Sequence, residues 1–195
     1  MDTKMTKQEH KQRSDKSYKL LLLFAMLSMT MMFAGLTSAF VVSKSRTDWL
    51  KDFQMPSSFL ISTIVIIACS VTFYLAQKAI KKNNRNLTTQ MLLATLVLSI
   101  FFIFFQFRGF DQLIQMGYFF TGSQSNITTT FLYVVALLHL VHLFGGIISL
   151  LIIIYNHFKQ KYNSSQTLGI ELGAMYWHFL DLLWVYLFLF LFFFK

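Results

Sequence analysis

The sequence predicts an all-α membrane protein that crosses the bilayer five times. Of its 195 residues, 55% are hydrophobic and only 13% are charged, whereas a soluble domain carries about 25% charged residues. The charged residues cluster between five apolar stretches, each long enough to cross the roughly 30 Å hydrocarbon layer as a helix. Helices are the expected elements, because open strands leave backbone groups without hydrogen-bond partners in lipid.

The five predicted spans cover residues 18–43, 58–77, 87–107, 128–155 and 172–194. Lys19 and Asp181 are the charged residues within them, and Pro56 just before the second span suits a helix start. The fourth span is about 42 Å long at 1.5 Å per residue, so it should tilt or project from the bilayer. Residues 1–17 form a polar tail that we expect to lack fixed structure, and residues 18–195 form the transmembrane domain.

The distribution of Lys and Arg predicts the orientation of the chain. The tail, the second loop and the fourth loop together carry twelve basic residues, and the remaining segments carry five. The positive-inside rule therefore places the N-terminus in the cytoplasm and the C-terminus outside. The net charge of +9 is a topology signal that also favours anionic lipid, and it does not indicate a nucleic-acid partner.

Polar residues within the spans are the candidates for function, because lipid is as apolar as Leu. Asp181 lies near the middle of the fifth span, and His178 or a histidine on another helix is its expected partner. This carboxyl is either a proton-relay acid or, as we favour, an interhelical hydrogen-bonding group. On the fourth span, His139 and His142 share a face with Gly146. Two histidines are few for a metal site, so structural hydrogen bonding is favoured over metal ligation.

Small residues on the first span predict a face for close helix packing. Ala34 and Ser38 form one small-x-x-x-small pair, and Gly35 and Ala39 form another. The three histidines within the spans are too few for a chain that itself ligates haem irons and copper. No catalytic, cofactor-binding or metal-binding residue is therefore assigned, and the chain alone is not expected to perform redox or hydrolytic chemistry.

The fifth span resembles the final-helix signature of the cytochrome c oxidase subunit III family. Glu171 is followed five residues later by Tyr-Trp-His-Phe-Leu-Asp-Leu-Leu-Trp at 176–184, and the family pattern differs only by Val/Leu exchange. The His-Leu-Val-His-Leu-Phe-Gly-Gly stretch at 139–146 is similar to a second family motif, and weaker similarity covers 95–106 and 33–36. The resemblance extends from about Leu20 to the C-terminus and is closest to the shorter, five-helix bacterial form.

The resemblance implies an accessory subunit of a bacterial haem-copper terminal oxidase that reduces O2 to water. Such a subunit packs on the catalytic subunit I beside subunit II, in the inner membrane, and a larger respiratory supercomplex is a further potential partner. The family implies a V-shaped bundle of two helices plus three with phospholipid in its cleft, and haem and copper held by partner subunits. It also implies a stabilising role and support of proton uptake.

Carried over by position, the resemblance assigns nine residues a structural or cleft-lining role, with a lipid or proton role open to them. They are His139, His142, Gly146, Glu171, Tyr176, Trp177, His178, Asp181 and Trp184. Met29 and Gly109 stand where the family has acidic residues, which favours a structural role over proton delivery. Alternatives are the third subunit of a quinol oxidase, a nitric oxide reductase-associated subunit, and a small proton-coupled transporter built around Asp181 and the membrane histidines.

Overall fold

The chain folds into five long α-helices, each of them apolar and long enough to cross a membrane. A computed structural model of the chain describes residues 7–47, 49–50, 53–122, 125–162 and 166–194, with side chains from residue 9 onward. The helices are α1 (Lys7–Val42), α2 (Ser57–Lys81), α3 (Arg85–Gln115), α4 (Ile127–Phe158) and α5 (Leu168–Phe194), and a short 3-10 turn, Ser43–Ser45, follows α1. The prediction of an all-α protein with five transmembrane helices is confirmed.

Helix α1 begins well before the predicted span. The expectation of an unstructured tail is wrong for residues 7–17, which are helical, while residues 1–6 lie outside the described residues. The segment is rich in Lys, Gln, Arg and Glu, all of which favour helices, and it contains neither Gly nor Pro. The apolar helix that follows supplies a nucleus from which the helix extends outward, at little cost per added residue.

Helices α2 and α3 form a tight antiparallel hairpin and make the most extensive helix contact in the described structure. Pro56 lies at the N-cap of α2, as predicted. Asn83 turns the chain with a φ of 55°, and the side chain of Asn84 accepts a hydrogen bond from the Leu87 backbone N–H at the start of α3. Both features are typical of short polar residues that tolerate left-handed backbone and cap helices.

Helix α3 continues to Gln115, beyond the predicted end of the span at residue 107. The continuation is held by packing, because Gly109 lets the Phe59 ring of α2 approach the α3 backbone closely. A Cβ at Gly109 would lie 2.9 Å from the Phe59 ring. The helix ends at Gln115, and Gly117 follows with a φ of 80°, a conformation that glycine adopts readily. A larger side chain at position 109 would require the Phe59 ring to move.

Helices α2 to α5 pack around one core, and α1 lies against the outside of α4 and α5. The expected grouping of the first two spans against the last three is not observed among the described residues. Helix α1 instead buries Phe33, Thr37 and Phe40 against α4 and α5. Phe33 packs on His142 of α4, and Phe40 packs on Phe190 of α5. These aromatic contacts explain why α1 pairs with the last two helices.

The small-residue face of α1 is not used for packing within the described chain. Ala34, Gly35, Ser38 and Ala39 are all exposed, and a Cβ at Gly35 would meet no atom within 4 Å. The prediction that these residues form a helix-packing face is therefore wrong for contacts inside this part of the chain. The packing face lies on the opposite side of α1, where larger side chains bury more surface.

Candidate functional site

Helix α5 carries six of the nine residues that the sequence assigned to the site, and it contacts α1, α2 and α4. The structure does not gather the nine residues into one cavity. The residues lie along α5 and the side of α4 that faces it, in four groups: an ion-pair cluster, a close helix crossing, a buried carboxyl and an aromatic layer.

Glu171 forms the ion-pair cluster in the first turn of α5. Its Oε2 atom lies 2.8 Å from the Lys19 ammonium of α1, and its Oε1 atom lies 3.7 Å from the Lys81 ammonium of α2. The Thr167 hydroxyl donates to Oε1 at 2.9 Å. An acid in the first turn also interacts favourably with the positive end of the helix dipole. Glu171 therefore joins the first turn of α5 to the last residue of α2 and to the body of α1, on one side of the membrane domain.

Gly146 forms the close crossing of α4 and α5. A Cβ at this position would lie 3.1 Å from a Leu180 methyl carbon and 3.2 Å from the Trp177 ring. On the same helix pair, the Tyr176 hydroxyl donates to the His142 backbone carbonyl at 3.0 Å. The prediction that a glycine on α4 lets a neighbouring helix approach closely is confirmed at Gly146, and the neighbour is α5.

Asp181 is buried between α5 and α2, with only 4% of its surface exposed. Neither of its carboxyl oxygens has a hydrogen-bond partner among the described residues. The expected partnership with His178 is not formed, because His178 points about 60° away from Asp181 around α5 and meets α2. There its Nδ1 atom lies 2.6 Å from the Ser70 hydroxyl.

His139 and Trp184 form an aromatic layer in the centre of the bundle. Their ring centroids are 5.0 Å apart, and Phe102 of α3 packs edge-on against both. The Trp184 indole N–H donates to the Thr63 hydroxyl of α2 at 3.1 Å. All four core helices therefore contribute to this layer, which fixes their relative positions.

The two histidines of α4 do not converge on a common point. His139 faces Phe102 and Trp184, whereas His142 packs against Phe33 of α1 and its Nδ1 contacts the Leu138 carbonyl at 2.7 Å. Within the described ranges, no three His, Cys, Asp or Glu side chains come close enough to hold a metal ion. The predicted hydrogen bonding is found at His142 but not at His139, whose two ring nitrogens have no partner among the described residues. His139 is held by ring packing instead.

A groove runs between α1 and the pair formed by α4 and α5. Its outer part encloses about 530 Å³ and is lined by Lys11, Asp15, Lys19, Lys161 and Glu171. Its inner part encloses about 480 Å³ and is lined mainly by apolar side chains, with the Tyr176 ring at its wall. Tyr162 and Gly169 line both parts, so the two are continuous. This α1–α4–α5 groove is charged at its mouth and apolar within the membrane domain.

Sequence reasoning missed the residues that complete these groups on the other helices. Ser70 and Thr63 are small polar residues inside the second span, and their position in an apolar run was the available signal. Ser62 and Gln106 form a further buried pair, in which the Gln106 amide donates to the Ser62 hydroxyl at 3.1 Å. To predict which residue on another helix each of them contacts, one must know how each helix is rotated about its own axis. The sequence pattern does not give that rotation.

The fold and these groups define a multi-pass, all-α membrane protein in which interior polar side chains join the helices to one another. The family model of cytochrome c oxidase subunit III matches residues 2–195. A Spodoptera frugiperda protein named cytochrome c oxidase subunit 3 is 32% identical over 138 residues, which are 70% of this chain and 87% of that protein.

Proteins of the same name in other animals show similar sequence identity to this chain. The Drosophila melanogaster protein is 30% identical over 137 residues, and the Artemia franciscana protein is 36% identical over 132 residues. These matches cover 70% and 68% of this chain and 49% of each relative, so the chain spans about half the length of these two proteins. The chain belongs to the cytochrome c oxidase subunit III family.

Proposed function

We propose that this chain is the non-redox accessory subunit III of a bacterial haem-copper terminal oxidase that reduces O2 to water. The observation that carries the proposal is the family match over residues 2–195, with relatives that carry the name of a cytochrome c oxidase subunit. Cytochrome c is accordingly the proposed electron donor. Haem and copper are held by partner subunits, and subunits I and II are the proposed neighbours.

The side-chain contacts support a structural role within such a complex. Glu171 joins three helices, Trp184 donates to Thr63 across the core, and Tyr176 donates to the α4 backbone. These polar residues stabilise the relative positions of the helices. The expected contribution to oxidase function is a stable surface beside subunit I, which supports proton uptake and continued turnover.

The α1–α4–α5 groove is the proposed phospholipid site. Three Lys side chains line its outer part together with two acids, which suits a head-group phosphate, and its apolar inner part suits an acyl chain. This location differs from the cleft that the resemblance implied, since it lies between α1 and the last two helices. We infer that the charged mouth is on the cytoplasmic side, because the basic residues of the chain concentrate at that end.

The decisive experiment is purification of the native complex in mild detergent, followed by its haem spectrum and its activity with cytochrome c and with quinol. We expect the chain to co-purify with a haem- and copper-containing subunit, and cytochrome c to be oxidised. Removal of the chain should leave the haem spectrum intact while activity decays faster during turnover. Recovery of the chain without a haem-copper subunit would contradict the proposal, and oxidation of quinol alone would assign it to a quinol oxidase.

A further inference from the structure

A strip of α5 between α1 and α2 is uncovered in the described structure. Helix α1 meets α5 where the Thr37 and Tyr186 hydroxyls lie 3.3 Å apart, and α2 meets it where Phe73 packs edge-on against Trp177. Between these two contacts, Met175, Leu182 and Leu189 are exposed, and Leu182 is 72% exposed. We call this strip, with the facing sides of α1 and α2, the α1–α2 groove.

The α2 edge of this groove carries polar side chains in the middle of the membrane domain. Ser70 and His178 are half-buried there and lie 2.6 Å apart, and Asp181 lies behind them. The His178 Nε2 atom is not among the buried polar atoms and has no hydrogen bond within the described residues. It is therefore exposed at the surface of the described structure.

The contact between Ser70 and His178 has one favoured direction. The Ser70 hydroxyl makes no other hydrogen bond within the described residues, so the His178 Nδ1 atom is the acceptor open to its proton. A neutral imidazole must then carry its own proton on Nε2. Nε2 is therefore an outward N–H donor.

An N–H donor that faces lipid at this depth lacks an acceptor, because acyl chains offer none. A neighbouring transmembrane helix can supply one from a hydroxyl, an amide oxygen or an unpaired backbone carbonyl. The facing side of α1 is suited to such a neighbour. By helical periodicity, Ala34 and Ser38 lie on the side that continues from Thr37 toward α2, and both are small and exposed. Their size permits close approach of another helix.

We propose that the α1–α2 groove receives a transmembrane helix of another subunit, whose hydrogen-bond acceptor pairs with His178 Nε2. The inference rests on the proposed function, since it requires a multi-subunit complex. The occupant is therefore a helix of a partner polypeptide. A lipid chain would leave the His178 Nε2 donor without an acceptor.

Site-specific photo-cross-linking in the purified native complex tests the occupant. With p-benzoylphenylalanine in place of Leu182, we expect an adduct with one other membrane subunit. The matched control places the same residue at Phe101, a similarly exposed position on the outer side of α3, and should not give that adduct. An adduct with lipid only, an adduct with a second copy of this chain, or the same product from both positions would overturn the proposal.

Substitutions at His178 test the hydrogen bond. His178→Gln keeps an N–H donor, so the variant should remain with the complex through a stringent detergent wash. His178→Phe should be retained several-fold less. Equal retention of the two variants would overturn the role of the donor. Co-purification of the chain with a haem subunit together with a lipid-only adduct at Leu182 would refute this inference alone, whereas failure to co-purify would refute the proposed function.

Discussion

The Glu171 carboxylate of α5 lies 2.8 Å from the Lys19 ammonium of α1, although the two residues are 152 positions apart in the sequence. Lys81 of α2 approaches the same carboxylate to 3.7 Å. Because α1 and α2 make little other contact in the described structure, this acid is the polar link between them.

Replacement of Glu171 by Gln should weaken the attachment of α1. Both lysines are partly exposed, so solvent screening limits the expected loss to about 1 kcal/mol. The thermal unfolding midpoint in detergent should fall by about 2–4 °C. Asp111→Asn is the matched control, since the Asp111 carboxylate is exposed and accepts a bond from Gln115 one turn away. Equal shifts for the two variants would show that Glu171 does not join the helices.

Two adjacent glycines should respond differently to replacement by alanine. Gly146→Ala places a methyl group against Leu180 and the rigid Trp177 ring, and should destabilise the protein by about 1–3 kcal/mol. Gly145→Ala meets only the Tyr176 hydroxyl at 3.5 Å, and should be neutral or stabilising by up to about 1 kcal/mol through helix propensity. Denaturation by increasing SDS measures both. A stable Gly146→Ala variant would argue against the close crossing.

The Trp184–Thr63 hydrogen bond is testable by a double-mutant cycle. Thr63→Val leaves the buried indole N–H without its acceptor and should cost about 1–3 kcal/mol. Combining it with Trp184→Phe should cost less than the sum of the single changes, because the two residues interact. Thr30→Val is the control, since the exposed Thr30 hydroxyl bonds only to the Met26 carbonyl of its own helix. Strict additivity would contradict the bond.

The α1–α4–α5 groove should retain anionic phospholipid through its lysines. The double variant Lys11→Gln, Lys161→Gln should reduce the amount of anionic lipid that remains with the purified complex. The matched control is Lys78→Gln, Lys82→Gln, which removes the same charge from exposed positions outside the groove. Lipid extraction and mass spectrometry of both variants provide the measurement. Equal lipid loss in the two would show that binding depends on total charge and not on this groove.

The five spans could be predicted because a membrane helix is marked by the absence of charge over a fixed length. The ends of the helices could not be predicted in the same way. Residues 7–17 are helical because Lys, Arg, Glu and Gln favour helix once a neighbouring turn exists, and α3 continues to Gln115 because Gly109 packs against Phe59. Both segments are polar enough to be excluded from a span, although polarity does not prevent a helix from continuing into water.

The sequence identified the residues of the site but not the contacts that they make. The fifth-span signature named Glu171, Tyr176, His178 and Asp181, and each of these residues lies at an interface or groove of α5. The sequence did not show which residues of other helices they contact, because several faces of a uniformly apolar helix fit the same hydrophobic pattern. His178 pairs with Ser70 and not with Asp181 because side chains three positions apart on a helix diverge by about 60°.

The attachment of α1 to the last two helices has a consequence for biosynthesis. Its contacts with α5 join residues such as Thr37 and Tyr186, which are 149 positions apart. At a synthesis rate of about 5–20 residues per second, α1 waits roughly 7–30 s in the membrane before its partner exists. During that interval it must be stable in lipid without α5. Its many exposed apolar side chains are suited to that period, and the shielding of Phe40 completes only when α5 is inserted and Phe190 packs against it.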